Sequence, residues 1–366
     1  MKKKKVWNVL VCAGLMCSML FSGCGSSSTV EDTDGESSAK SANDVGISSE
    51  TTSDENTDDL TKLSIQLSWL PQGEFMGYYV AQSKGYYKDE GIDLEIIPGG
   101  SDISPEDQVE NGVCELGNAF YTSLLTYREG GYDDLIDVAQ IYQDSALRLI
   151  AKKDTGIETG EDLKGKRVGN WFGGQQYELY ALCGKYGYDV DNDVEWVQQD
   201  FTMDAFYNDE LDAASVMIYN EYNLVLESGM TEDEFNVIDM NEEGIALLED
   251  CLICKKDWAE ENKDLLVRFL RATIKGWKYA CENPEEAGQI CWEAGQSVSL
   301  EHQISMCQAV VGCVAPDGTD MNQLGKFDED KFEQTIKLGL ENNLIQEDVD
   351  YKDTIDSSYW EEAVSE

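Results

Sequence analysis

The stretch SWLPQGEFMGYYVAQSKGYYKDEGIDLEIIPGG, Ser68 to Gly100, decides the fold. It follows an alternating run, Leu63-Ser64-Ile65-Gln66-Leu67, the period-two pattern of a strand with one buried face. Pro71 and Gly73 break that pattern. From Phe75 the apolar residues Phe75, Met76, Tyr79 and Val80 recur at helical spacing. Gly85 and Gly91 punctuate, and Leu94-Glu95-Ile96-Ile97 reads as a second strand. Strand, helix and strand in this length form a βαβ unit, whose strands run parallel. Ligands of open α/β sheets bind beyond the carboxyl ends of the strands. That rule places Trp69, Gln72 and Phe75 at the mouth of a site. Read alone, Trp69 and Phe75 serve equally well as plugs on top of the sheet.

The alternation continues along the chain. Ser104-Pro105-Glu106-Asp107 has the residues of a helix start, with Ser as N-cap and Pro at the first position. Strands are expected at Cys114 to Ala119 and Ile136 to Tyr142. Phe120, Tyr121 and Tyr142 lie at their carboxyl ends. Arg148 to Lys152 reads as a crossing strand, followed by strands at Arg167 to Gly169, Val194 to Val197 and Ala213 to Met217. Leu248 to Lys255 reads as the return. Leu265, Leu266, Phe269, Leu270, Thr273, Ile274 and Trp277 then form a helical stripe.

The opening stretch closely resembles that of ABC-importer binding proteins of the thiamine-pyrimidine-precursor and sulfonate, nitrate or taurine type. The shared pattern is a strand ending in Trp69, then Pro71, Phe75, Gly77-Tyr78-Tyr79, Ala81 and Lys84-Gly85-Tyr86-Tyr87-Lys88-Asp89-Glu90-Gly91-Ile92-Asp93-Leu94. Pro98-Gly99-Gly100 fits the same family. The resemblance implies a two-lobed α/β, periplasmic-binding-protein-like fold of type II. Each lobe would be a mainly parallel sheet flanked by helices. Residues 63–147 and 256–366 would form one lobe and 148–255 the other, joined by a two-strand hinge and closing on a small molecule. It further implies permease and ATPase subunits as partners of a monomeric binding protein.

Lys2 to Lys5 precede an apolar run, Val6 to Phe21, that is short for a membrane span. Leu20-Phe21-Ser22-Gly23-Cys24 resembles a bacterial lipoprotein cleavage box, with Phe21 where Leu is usual. This implies a signal peptide over residues 1–23 and a lipid on Cys24, placing the protein on the extracytoplasmic face of the membrane. An ordinary secretory signal is the alternative. Residues 24–62 read as a disordered tether, because Gly25 to Asp59 has almost no apolar residue to bury.

The chain carries 27 basic and 73 acidic residues, a formal charge of −46. Loss of residues 1–23 removes four lysines and no acids, and takes the charge to −50. Such a balance excludes non-specific nucleic-acid binding and attraction to anionic lipid. Of the 11 cysteines, eight follow Cys24, mostly on apolar faces, and read as free thiols in the core. Cys251-x-x-Cys254 has the spacing of a metal or redox pair, but no second pair or nearby His completes a zinc site.

Two further segments carry candidate contacts. Trp171-Phe172-Gly173-Gly174-Gln175 is a Gly-rich turn opening a helix, where free backbone N–H groups suit a polar ligand edge. Tyr219-Asn220-Glu221 follows another strand and resembles a segment of the vitamin-precursor members of the family. Glu221 would accept hydrogen bonds from an amino-pyrimidine, and Asn220 offers both donor and acceptor. A Glu favoured by the helix dipole is the plainer reading. No Lys, Arg or His occurs between Leu63 and Ser83 or between Lys185 and Lys255. Arg128 and Arg148 are the cations that remain as exceptions. An uncharged or cationic flat heterocycle fits such walls better than an anion does. The expected ligand is a thiamine pyrimidine precursor, with riboflavin the nearest rival and a sulfonate, taurine or nitrate the alternative. His302, the only histidine, reads as a surface residue at a polar helix start, outside the cleft. No Ser-His-acid, Cys-His or phosphate-loop constellation can be assembled, so neither a catalytic site nor a cofactor is expected, and an enzyme of pyrimidine synthesis, which the same fold also resembles, is the least favoured reading.

Overall fold

The computed structural model describes residues 60–172, 174–200, 202–346 and 350–365. The signal peptide, most of the tether, Cys24 and Gly173 lie outside the described residues. The tether expected to reach residue 62 stops sooner, because the first strand already includes Thr61.

Ten strands are described: β1 (Thr61–Gln66), β2 (Ile92–Ile97), β3 (Leu116–Phe120), β4 (Leu135–Gln140), β5 (Leu147–Lys152), β6 (Arg167–Asn170), β7 (Glu195–Gln198), β8 (Ala214–Met217), β9 (Phe235–Asp239) and β10 (Asp250–Lys255). The first sheet has the order β2-β1-β3-β10-β4. β1 and β2 are parallel along their whole length, from Thr61 opposite Ile92 to Gln66 opposite Ile97. β10 runs antiparallel to both β3 and β4.

The other five strands repeat this plan. β5 lies antiparallel between β8 and β9. β6 and β7 are a parallel pair, joined to the lead-in of β8 by a parallel bridge from Val168 to Ala213. The spatial order is therefore β7-β6-β8-β5-β9. In each group four strands point one way and a single strand, β10 or β5, opposes them. Those two strands are where the chain crosses from one group to the other and back.

Helices pack where the side chains permit close approach. α1 (Met76–Ser83) lies on the long helix Lys263–Glu282 through two glycines. A Cβ on Gly77 would fall 2.1 Å from the Trp277 ring, and one on Gly276 would fall 2.3 Å from the Gly77 carbonyl oxygen. Trp277 meets Tyr78 edge-on at 5.6 Å, and Tyr87 stacks on Phe269 at 5.4 Å. Gly99 is fixed in the same way: a Cβ there would lie 2.2 Å from the Leu67 carbonyl oxygen, where the turns after β1 and β2 touch.

Cys114, Cys183, Cys251, Cys254, Cys281, Cys291, Cys307 and Cys313 are all free and buried. Cys251 and Cys254 belong to different apolar clusters on β10, so their spacing does not bring the thiols together. Among the described residues no helix is long and apolar enough to cross a membrane.

Candidate functional site

A cleft of about 1280 Å³ opens beyond the carboxyl ends of β1, β3, β6, β7 and β8. Trp69, Gln72, Phe120, Trp171, Phe172, Gly174, Gln175, Tyr219, Asn220 and Glu221 all line it. Three expected residues do not. Phe75 is fully buried in the short helical turn Gly73–Phe75, where it faces the core. Tyr121 sits next to Phe120 but turns the other way, its hydroxyl 2.6 Å from that of Thr354. Tyr142 is buried beneath the site and donates its hydroxyl to the Glu74 carbonyl at 3.1 Å. Its ring meets Tyr219 edge-on at 6.3 Å. These aromatic residues support the wall from behind.

Glu74, which the sequence reading did not single out, also lines the cleft. It is 4% exposed, and Gln72 donates its amide to the carboxyl at 3.2 Å. Burial pushes its pKa up to about 8; the Gln72 bond opposes this, and repulsion from Glu221 and Glu249 adds to it. An acid interrupting an apolar stretch two residues after Gln72 was the available signal.

Glu221 begins the helix Glu221–Glu227 after β8. Its Oε2 accepts the Met217 backbone N–H at 3.0 Å and its Oε1 accepts the Asn220 amide at 2.7 Å. Burial pushes its pKa up to about 7 against these bonds. On the opposite wall Glu106 accepts the hydroxyls of Ser104, at 2.8 Å, and Ser123. Six acids line the cleft, namely Glu74, Asp102, Glu106, Asp107, Asp200 and Glu221, and no Lys, Arg or His does so among the described residues. The two arginines held open as exceptions are engaged elsewhere. Arg128 pairs with Asp353 at 2.8 Å and Arg148 with Asp239 at 2.9 Å.

The walls touch at both rims. At one rim Thr122 Oγ1 is 3.4 Å from the Gly174 carbonyl, and the hydroxyls of Thr126 and Tyr177 are 3.2 Å apart. At the other, His302 corrects the expectation of a surface residue. It is 2% exposed and bonds to Glu227 and Asn220. It is covered by a segment some 80 residues earlier in the chain, which local polarity cannot reveal. Behind the cleft, where the chain crosses between the strand groups, the Ser145 hydroxyl lies 2.8 Å from both Glu178 and Glu249. Burial, then repulsion from Glu249, holds the Glu178 carboxyl well above the usual range.

The chain is similar to the formylaminopyrimidine-binding protein of Halalkalibacterium halodurans, 24% identical over 234 residues, covering 62% of this chain and 69% of that protein. It is similar to the riboflavin-binding protein RibY of Chloroflexus aurantiacus, 28% identical over 241 residues, with 62% and 65% covered. It is also similar to a 4-amino-5-hydroxymethyl-2-methylpyrimidine phosphate synthase of Legionella pneumophila, 27% identical over 244 residues, with 64% and 74% covered. Among solved structures, the periplasmic aliphatic sulphonate binding protein SsuA of Escherichia coli superposes with a TM-score of 0.64 at 16% identity, covering 80% of this chain and 91% of that one. That likeness shows the periplasmic-binding-protein fold. The model of the NMT1/THI5 like family matches residues 72–287, more than half of the chain, and the chain belongs to that family.

Proposed function

We propose that this protein is the extracytoplasmic substrate-binding component of an ABC importer and captures an amino-pyrimidine of the thiamine-precursor class. The observation that carries the reading is the cleft wall: buried carboxyls, amides and aromatic faces, with no cation among the described residues. A flat nitrogen heterocycle stacks on Trp69 and Trp171 and donates to Glu221 and Glu74. A sulfonate or nitrate would meet six acids without a compensating cation. The relative named for formylaminopyrimidine supports the same ligand class. One observation favours a larger ligand: about 1280 Å³ exceeds the roughly 300–1000 Å³ usual for small-molecule sites. A flavin-sized heterocycle is therefore the second reading, in keeping with the relative named for riboflavin.

The protein acts by reversible capture between its two strand groups and releases its ligand unchanged to a permease with its ATPase. A lipid on Cys24 anchors it, which mass spectrometry of the wild type and of Cys24→Ala checks. The relatives named as synthases are the enzymatic alternative. His302, the sole histidine, does not line the cleft.

Calorimetry against an amino-pyrimidine, riboflavin, taurine and nitrate tests the reading. An amino-pyrimidine should bind with unit stoichiometry. A donor or cation beside Glu221 lowers its pKa from about 7, so binding at pH 7 should release protons, seen as heats that vary with the buffer. Glu221→Gln should reduce that release, leaving the part that comes from Glu74, and weaken binding about tenfold or more. Binding of taurine or nitrate with proton uptake, tightened by Glu221→Gln, would overturn the proposal.

A further inference from the structure

His302 lies on the helix Leu300–Val314, which packs against the turn carrying Glu74 on one side and the helix Glu221–Glu227 on the other. Its ring is held at both ends. Nδ1 is 2.9 Å from Glu227 Oε1, and Nε2 is 3.0 Å from Asn220 Oδ1. The amide of Asn220 is oriented by its other end, because its Nδ2 donates to Glu221 Oε1 at 2.7 Å. Its oxygen therefore faces the ring, and Nε2–H donates to it. At the other end of the ring Nδ1 faces the Glu227 carboxyl.

Asn220 confirms that this arrangement has displaced a more ordinary one. Asn is a favoured N-cap because its side-chain oxygen accepts a backbone N–H of the first turn. Asn220 occupies the N-cap of the helix Glu221–Glu227 and makes no such bond. Its carboxamide connects His302 to Glu221 instead, and Glu221 continues to the Met217 N–H. His302 itself is absent from the cleft wall, while Asn220 and Glu221 are on it.

We propose that His302 is a positioning residue: it reaches across one rim and sets the Asn220 amide, and through it the Glu221 carboxyl, in the orientation offered to a ligand. The proposal rests on the reading of the cleft as a small-molecule site. Both ring nitrogens already have partners and His302 is absent from the cleft wall, so the residue acts through Asn220 and not by contact. Turning the Asn220 amide over would place two donors against His302 and two acceptors against Glu221. Only one amide orientation is therefore compatible with the ring.

Two measurements test it separately. The first needs no ligand. The chain has one histidine, so its imidazole nitrogen resonances are unambiguous in a protein without a histidine tag. Nε2 should appear as a hydrogen-bonded N–H group, with Asn220→Ala moving it and Glu227→Gln moving Nδ1. A ring with a bare Nε2, or one indifferent to Asn220→Ala, overturns the proposal even if no pyrimidine binds. The second is a binding cycle with 4-amino-5-hydroxymethyl-2-methylpyrimidine as probe. His302→Ala and Asn220→Ala should each weaken binding about tenfold, and the double variant should be little worse than either. His302→Gln, which keeps one N–H donor, should recover part of the loss. A merely structural role would lower the melting temperature of His302→Ala while leaving affinity unchanged, or make the two effects multiply. If His302→Ala does not fold, Glu227→Gln takes its place, since the Glu227 side chain is 44% exposed and outside the cleft wall.

Discussion

Glu74 and Glu221 reach the cleft with pKa values of about 8 and about 7, against 4.5 for an ordinary glutamate. Folding thus favours their neutral forms. The stability this confers is full below pH 4.5 and is lost as pH rises through 7 to 8, on the order of a few kcal/mol in all. The ligand-free protein should therefore melt at a higher temperature at pH 5.5 than at pH 8.5, and Glu74→Gln should flatten that slope. A profile rising with pH would show the two carboxyls to be charged and solvated. At this scale the sequence was only partly legible. Trp69, Trp171 and Glu221 could be placed because each follows a strand. Phe120 and Tyr121 could not be told apart, since which neighbour faces the cleft depends on the turn into the next helix. Glu74 was not singled out, because it sits between the Pro71–Gly73 break and the helical spacing that starts at Phe75. His302 was beyond reach, because its partners come from another part of the chain.

β1, α1 and β2 form the element from which the rest could be inferred. The alternation before Ser68 and the helical spacing after Phe75 specify a parallel pair, and the pair is parallel along its whole length. The reversed β5 and β10 are legible only as extended crossings, because antiparallel pairing of a central strand leaves no local mark. Packing of α1 was equally hidden, since it depends on which glycines face one another. Gly276→Ala should test that packing. Its methyl would press on the Gly77 carbonyl at 2.3 Å, and overpacking of this kind costs about 1–3 kcal/mol. The urea midpoint should fall with the slope of the transition unchanged. An unaltered midpoint would mean that the helices separate freely.

The whole molecule is built twice on one strand plan, and the two copies meet at Ser145, Glu178 and Glu249. A single hydroxyl there keeps two buried carboxyls apart. Ser145→Ala should leave them without that partner and cost about 1–3 kcal/mol, more at high pH than at low, since burial raises the pKa of both carboxyls. Equal loss at high and low pH would assign the serine to packing alone. If the crossing is also the hinge, the same variant should change the ligand-dependent decrease in radius of gyration.

The eight buried thiols have a practical corollary. Burial pushes Cys114 up to about 11 and Cys183 up to about 12, and it raises Cys251, Cys254, Cys281, Cys291 and Cys313 as well. Sulfhydryl reagents attack the thiolate, so the body is a silent background for labelling. With Cys12, Cys17 and Cys24 replaced by serine, a cysteine introduced at exposed Thr126, facing Tyr177, would be the one site that takes up a dye. Its fluorescence would report the rim contact in real time, making the protein its own optical sensor for whatever it captures.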